Sequence, residues 1–456
     1  MTIVLAGVLV YVLAQLLVGA WVSRRIATED DYLVAGRSLG YGVGIFTIFA
    51  TWFGAETCIG AAGAIYEGGI SAGSADPFGY ALCIFFMGLV FAVPLWRRKL
   101  TTIADLFRSR FSVSVERFAV LLMVPTSLLW AAAQIRAFGQ VLAASSDLGV
   151  GITITVAAGV VIVYTVWGGL LADAITDFIQ GIALIVGLLI LWIVVFSDNG
   201  FEVLASVDPS RLQLFGGGER PWFEIAESWA VPVFGSVVAA ELVTRVIACR
   251  SATVARRACL AAGSLYLTIG IVPVTLGLVG AQLMPGLEHA EQILPALALD
   301  RLPPILYLFF AGALVSAILS TVDSALLVAA SLVSHNIIVP MRPGITEKSK
   351  VRIARVGVAT FGILAYVMAL HAEGVYDLVE QASAFGSAGI VVIVTFGLFT
   401  RIGGATSALA ALGAGLIVWV VGNYVLGLPF AYIAALGSAT IAYLAAGWVG
   451  PRPAVA

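Results

Sequence analysis

The sequence predicts an all-α polytopic membrane protein of about thirteen transmembrane helices. Of the 456 residues, 61% are hydrophobic and only 11% are charged. Apolar runs of about 20 residues, each enough to cross a bilayer core, recur from end to end. A soluble chain carries roughly 25% charged residues, so this surface has too little charge to be solvated by water alone. Helices are the expected element, because lipid offers the backbone no hydrogen-bond partner. The runs also lack the alternating polarity of barrel strands.

Taken in order, the spans fall near Ile3–Val22, Leu39–Tyr66, Pro77–Trp96, Phe118–Ala144, Gly151–Trp167, Asp173–Phe196, Phe223–Ile247, Ala258–Gln282, Pro304–Ser334, Val351–Leu370, Tyr376–Phe399, Ala405–Val421 and Leu428–Trp448. The first lacks a basic n-region and a small-residue cleavage signal, so it reads as a retained helix rather than a signal peptide. Loop charge tests the count. With the N-terminus outside, every Lys and Arg falls on the inner side except Arg211, Arg220 and Arg301 in outer loops and Arg136 and Arg245 inside spans. That asymmetry satisfies the positive-inside rule and places the C-terminus in the cytoplasm of a cell whose plasma membrane the chain spans. The outer loops 197–222 and 283–302 are too short to be domains. No kinase or receiver module fits after Trp448, which argues against the rival reading of a membrane sensor.

Composition excludes other classes. A net charge of -2 leaves no basic stripe for nucleic acid. The four cysteines, Cys58, Cys83, Cys249 and Cys259, show no paired spacing for a disulfide framework or zinc site. His289, His335 and His371 are far apart in or beside loops, and no enzymatic motif is present. No cofactor is expected.

The second span reads Ala50-Thr51-Trp52-Phe53-Gly54-Ala55-Glu56-Thr57, followed by Gly60, Gly63, Gly68 and Gly69. Glycine weakens a helix, and a mid-depth glutamate costs about 3 kcal/mol on insertion scales. An unwound segment is therefore expected here, tolerated because it lines a cavity. Five spans later Pro232, Gly235, Ser236 and Glu241 interrupt the seventh. Matched breaks in two five-helix halves point to an inverted-repeat transporter with a midplane site. The divisions expected are 1–38 (first helix and loop), 39–196 (first repeat), 197–399 (second repeat) and 400–456 (two following helices).

In the ninth span Ala317, Ser320, Thr321 and Ser324 are spaced i, i+3, i+4, i+7 and share one face, with Asp323 beside them. Hydroxyls and carboxylates are hard oxygen ligands suited to a small hard cation such as Na+. In the sixth span Asp173 and Asp177 share a face. Asp173 is expected to be solvated near the inner end. Asp177 is expected to pair with Arg136 or Arg245 or to reach the ninth-span hydroxyls. The default partner for Arg245 is Glu241, one turn away. Trp52, Tyr80 and Trp130 lie near the break, and converging with Glu56 they would suit an organic cation or the ammonium of an amino acid.

Three segments resemble the sodium/solute symporter family: 31–40 (Asp31-Tyr32-Leu33-Val34-Ala35-Gly36-Arg37-Ser38-Leu39-Gly40), 164–180 (Tyr164 to Leu170, then Thr176-Asp177 and Gln180) and 319–324 (Leu319-Ser320-Thr321-Val322-Asp323-Ser324). They keep the family's order, and the resemblance runs from about Asp31 to Phe399. It implies an inverted five-helix repeat (LeuT-like) with one preceding and two following helices. It implies a sodium site of the Ala50, Phe53 and Ala317 carbonyls with the Ser320 and Thr321 hydroxyls. It also implies a possible second sodium at Asp177 with Ser320, Asp323 and Ser324. Several stretches resemble the high-affinity choline transporters, in which aromatics at the Trp52, Tyr80 and Trp130 positions cage a quaternary ammonium. Two departures stand out. The cage tryptophan expected in the seventh span is replaced near Ala239, and Glu56 stands where those transporters carry a small residue. The solute is thus expected to be a quaternary amine such as choline or an amino acid such as proline, contacted by Trp52, Glu56, Thr57, Tyr80, Trp130, Ala239 and Glu241. Import would be coupled to Na+ by alternating access. Proton coupling and passive permeation are the alternatives.

Overall fold

The computed structural model describes residues 28–449 except 74, 145, 147, 168, 169, 217, 219 and 343, together with Leu13 and Leu17. The first predicted span otherwise lies outside the described residues. The fold is all-helical. The one extended pairing among the described residues is an isolated bridge, Leu39 to Cys249, which ties the start of the second span to the end of the seventh. Among the described residues, eight helices are long and apolar enough to cross a bilayer, and two bent pairs raise that to ten. The second and fifth predicted spans are built from shorter pieces, among them the apolar helices Tyr41–Ala50 and Val150–Val163. Spans two to thirteen are thereby all represented by helices.

The ninth span, Pro304–Val333, forms the centre and packs against the fourth (Val113–Ala144), sixth (Leu170–Val195) and tenth (Glu347–His371). In its most apolar stretch 78% of residues are buried inside the protein, against 28% in the tenth span at the periphery. Polar residues of the ninth span therefore face protein rather than lipid. Helices in lipid gain little from apolar burial and rely on close packing of small residues. A Cβ on Gly235 would fall 2.2 Å from the Ser383 carbonyl oxygen, and one on Gly79 would fall 2.5 Å from Pro232 Cγ. These contacts draw the third, seventh and eleventh spans together.

Three spans are broken. The second consists of Tyr41–Ala50, a non-helical turn at 51–54, the wide turn Glu56–Ala61 and Ala62–Gly68. The seventh is Trp222–Gly235 joined to Ala240–Ala248 with a 42° bend. Both breaks fall where the sequence predicts them. The eleventh, expected as one run, is Val375–Ala384 and Ser387–Phe399 bent by 41°. The bend sits at Phe385 and Gly386, where Gly386 takes a left-handed φ of 68° that suits glycine.

At the end of the bundle that carries the basic loops, His335 Nδ1 lies 3.0 Å from Glu29 Oε1 and Nε2 lies 3.4 Å from Asp105. Asn336 donates to both Asp105 and Glu116 at 2.9 Å. This network ties the segment before the second span, the loop after the third and the end of the ninth into one closed layer.

Candidate functional site

The turn at 51–54 releases a carbonyl. In an unbroken helix the Gly54 amide would donate to Ala50; here it donates to Trp52 O at 3.0 Å. The Ala50 oxygen instead accepts from Thr321 Oγ1 at 3.1 Å, and the same hydroxyl lies 3.2 Å from Ala317 O. Gly54 brings the turn close, since a Cβ there would sit 3.6 Å from the Ala317 carbonyl. Three of the five expected sodium ligands are thus joined through the Thr321 hydroxyl. Ser320, one residue earlier, hydrogen-bonds Asp177. Phe53 lies within the same turn, its ring stacked on Phe49 at 4.4 Å and edge-on to Tyr266 at 5.1 Å.

Beside this point lies a charged cluster whose wiring differs from expectation. Arg245 is wholly buried. Its Nη2 is 3.3 Å from Asp173 Oδ2, 3.7 Å from Asp177 Oδ2 and 2.5 Å from Ser324 Oγ, and its Nε donates to Thr47 O at 2.9 Å. Asp177 also accepts from Thr47 and Ser320. Asp173 is therefore buried and ion-paired, not solvated. Arg245 is not Glu241's ion-pair partner: it touches Glu241 only through the main-chain carbonyl, at 3.2 Å. The local i, i+4 choice loses because the guanidinium meets two carboxylates of the sixth span at once. The Glu241 side chain accepts from Ser127 at 2.6 Å. Arg136 binds the Ala372 and Glu373 carbonyls at 2.8 and 2.6 Å, so Asp177 is not its partner. Of the residues expected around a second ion, Asp177 and Ser324 both meet Arg245, whereas Asp323 interacts electrostatically with Tyr32.

The aromatics converge. Trp52 and Tyr80 ring centroids are 5.2 Å apart, Trp52 and Trp130 6.0 Å, and Tyr80 and Trp130 6.1 Å. Glu56 is 1% exposed, and its Oε1 accepts from Gln134 at 2.5 Å. Thr57 turns elsewhere, bonding Asp76 at 2.9 Å and Tyr266 at 2.9 Å. Asp76, which sequence reasoning leaves in the loop before Pro77, is buried at the head of the third span and accepts from Tyr266 at 3.0 Å. The signal for it was an acidic residue abutting an apolar run, obscured by the Gly/Ser-rich stretch before it.

A chain of cavities reaches these groups. An outer one of about 680 Å³ is lined by Glu227, Val231, Glu373, Asp377 and Glu380 among others. Val231 and Glu380 also border a smaller cavity with Glu56, Asp76 and Tyr80. Beyond the hydrogen bonds linking Tyr80, Ser383 and Ser236 (2.8 and 3.0 Å) lies a third, where Trp130 meets Ala239. Trp52, Glu56, Tyr80 and Trp130 are each at most 3% exposed, so the site is enclosed.

Two broken helices meeting a hydroxyl-bearing central helix at mid-bundle are the architecture of inverted-repeat secondary transporters. The chain belongs to the sodium:solute symporter family, whose model matches residues 32–415. It is 30% identical over 404 residues to the high-affinity choline transporter 1 of Drosophila melanogaster, covering 83% of this chain and 64% of that one. It is 25% identical over 436 residues to an osmoregulated proline transporter of Bacillus subtilis, covering 90% and 87%. Its fold superposes on a Na+-coupled sialic acid symporter in a substrate-bound outward-open state with a TM-score of 0.87 at 20% identity, over 99% of this chain and 98% of that one.

Proposed function

We propose that this chain is a sodium-coupled symporter that imports a small organic cation by alternating access. The observation that carries the reading is the Ala50 carbonyl, freed by the break and held with Ala317 and Thr321 two residues before the first cage aromatic, Trp52. Sodium bound by Ala50, Phe53, Ala317, Ser320 and Thr321 would fix the turn and, through it, the orientation of Trp52. Ion and solute then strengthen each other's binding by linkage. Asp177 with Ser324 is the place for a second cation, in competition with the Arg245 guanidinium. The basic layer faces the cytoplasm in this reading, which puts the N-terminus outside and the C-terminus inside.

The charge lining the path favours a cation over a zwitterion such as proline. Glu56, Asp76 and Glu380 border the inner cavity, and among the described residues no Lys or Arg lines it to hold a carboxylate. Tyr80, which borders the same cavity, with the Trp52 and Trp130 rings packed against it, supplies the remaining attraction. Ala239 borders the space on the far side of Trp130, and Glu241, just after the seventh-span break, accepts from Ser127 of the fourth span.

Trp52→Ala tests this reading. Choline and ethanolamine should bind the purified protein in sodium and not in potassium. The substitution should weaken amine binding about tenfold or more, the scale of one desolvated cation–π contact, while leaving the sodium requirement within about twofold. Calorimetric titration of both ligands checks it. Equal losses for amine and sodium would make Trp52 a packing residue, and binding that ignores sodium would remove the coupling.

A further inference from the structure

Resting on that reading, we infer that the preferred solute carries an N–H-bearing ammonium, held by Glu56 with Asp76 nearby, and that full quaternisation of the nitrogen weakens binding.

The inference comes from acceptors that lack donors. Glu56 Oε1 is satisfied by Gln134, but among the described residues Glu56 Oε2 has no hydrogen-bond partner, nor has Gln134 Oε1. Both residues are buried to 1% exposure or less. Leaving a buried carboxylate oxygen unpaired is costly, more so than for a neutral group. Glu56 also lines the cavity it shares with Asp76 and Tyr80. Asp76 is already supplied with hydroxyl donors by Thr57 and Tyr266 and adds a second negative charge. Among the described residues no basic side chain borders this cavity, so the positive charge that balances the pair comes with the guest.

The aromatic rings and the carboxylates reward different features of a cation. A ring face attracts positive charge whether the nitrogen bears hydrogens or methyl groups. A carboxylate oxygen gains a charge-assisted hydrogen bond only from an N–H. A site built of rings alone would accept a quaternary nitrogen freely. Adding Glu56 Oε2, on a residue that lines the cavity, shifts the preference to an ammonium that can donate.

The test is a methylation series on one skeleton: ethanolamine, N-methylethanolamine, N,N-dimethylethanolamine and choline, each titrated against the full chain in sodium and in potassium. Only choline lacks an N–H. The expected result is a step at choline, with N,N-dimethylethanolamine bound about tenfold or more tighter, and a step reduced below about threefold in Glu56→Gln. Choline bound as tightly as its dimethyl analogue in sodium would overturn this inference and leave the cation symporter reading intact. A step that persists in Glu56→Gln would also overturn it. Failure of all four to bind in sodium would overturn both. The unmodified chain alone gives the first comparison, so the outcome does not depend on the variant folding.

Discussion

Replacing Arg245 by glutamine is expected to give the largest loss of stability of any single change in the bundle. The guanidinium is fully buried between Asp173 and Asp177 and also donates to Thr47 and Ser324. Its removal leaves two carboxylates facing each other away from water. Breaking a buried ion pair from one side costs about 3–5 kcal/mol, and here the cation is shared by two anions. The thermal unfolding midpoint in detergent should fall sharply, and yield with it. Arg245→Gln combined with Asp173→Asn removes one of the stranded charges and should recover a large part of the loss. An unshifted midpoint in the single variant would mean that the cluster is neutral without Arg245. A double variant no more stable than the single one would mean that Arg245 acts by packing.

Thr321→Ala is expected to have the largest effect on sodium. Its hydroxyl is the contact between the ninth span and the released Ala50 carbonyl, and it also touches Ala317 O. Alanine removes an oxygen from the proposed ion shell without adding bulk. An interaction with a charged partner is worth about 1.5–3 kcal/mol, so the sodium concentration for half-maximal amine binding should rise about tenfold or more. Amine affinity at saturating sodium should change little, and Thr321→Ser, which keeps the oxygen, should restore most of the response. Sodium activation unchanged in Thr321→Ala would place the ion elsewhere. Ser320→Ala is a poorer probe, because Ser320 also serves Asp177.

The parts of the site that were legible in the sequence are those whose chemistry is local. Gly54 and Glu56 mark the second-span break because a flexible residue and a charge are both costly in an apolar helix unless the backbone there opens onto a polar space. Ser320, Thr321 and Ser324 mark the inward face of the ninth span because helical spacing puts them together. Trp52, Tyr80 and Trp130 do meet, though spacing alone gives no reason why three separate spans should bring them to one point. The misreadings were decided by tertiary contacts. Arg245 bypasses Glu241, a turn away, for two aspartates distant in sequence. Asp76 reads as a loop residue until the third span folds back to put Thr57 and Tyr266 beside it. The bend at Phe385 and Gly386 carries Gly386 as its signal, and a glycine in a membrane helix usually marks close packing instead.

In the proposed cycle sodium is the ion that organises the broken second span for the solute. The direct measurement is uptake of radiolabelled choline and ethanolamine by proteoliposomes holding the purified chain. Accumulation above the external concentration is expected when sodium is supplied only outside. Making the interior negative should increase it, since each translocated charge gains about 2.3 kcal/mol per 100 mV. The same accumulation with external potassium in place of sodium, or uptake that stops at equal concentrations inside and out, would contradict it.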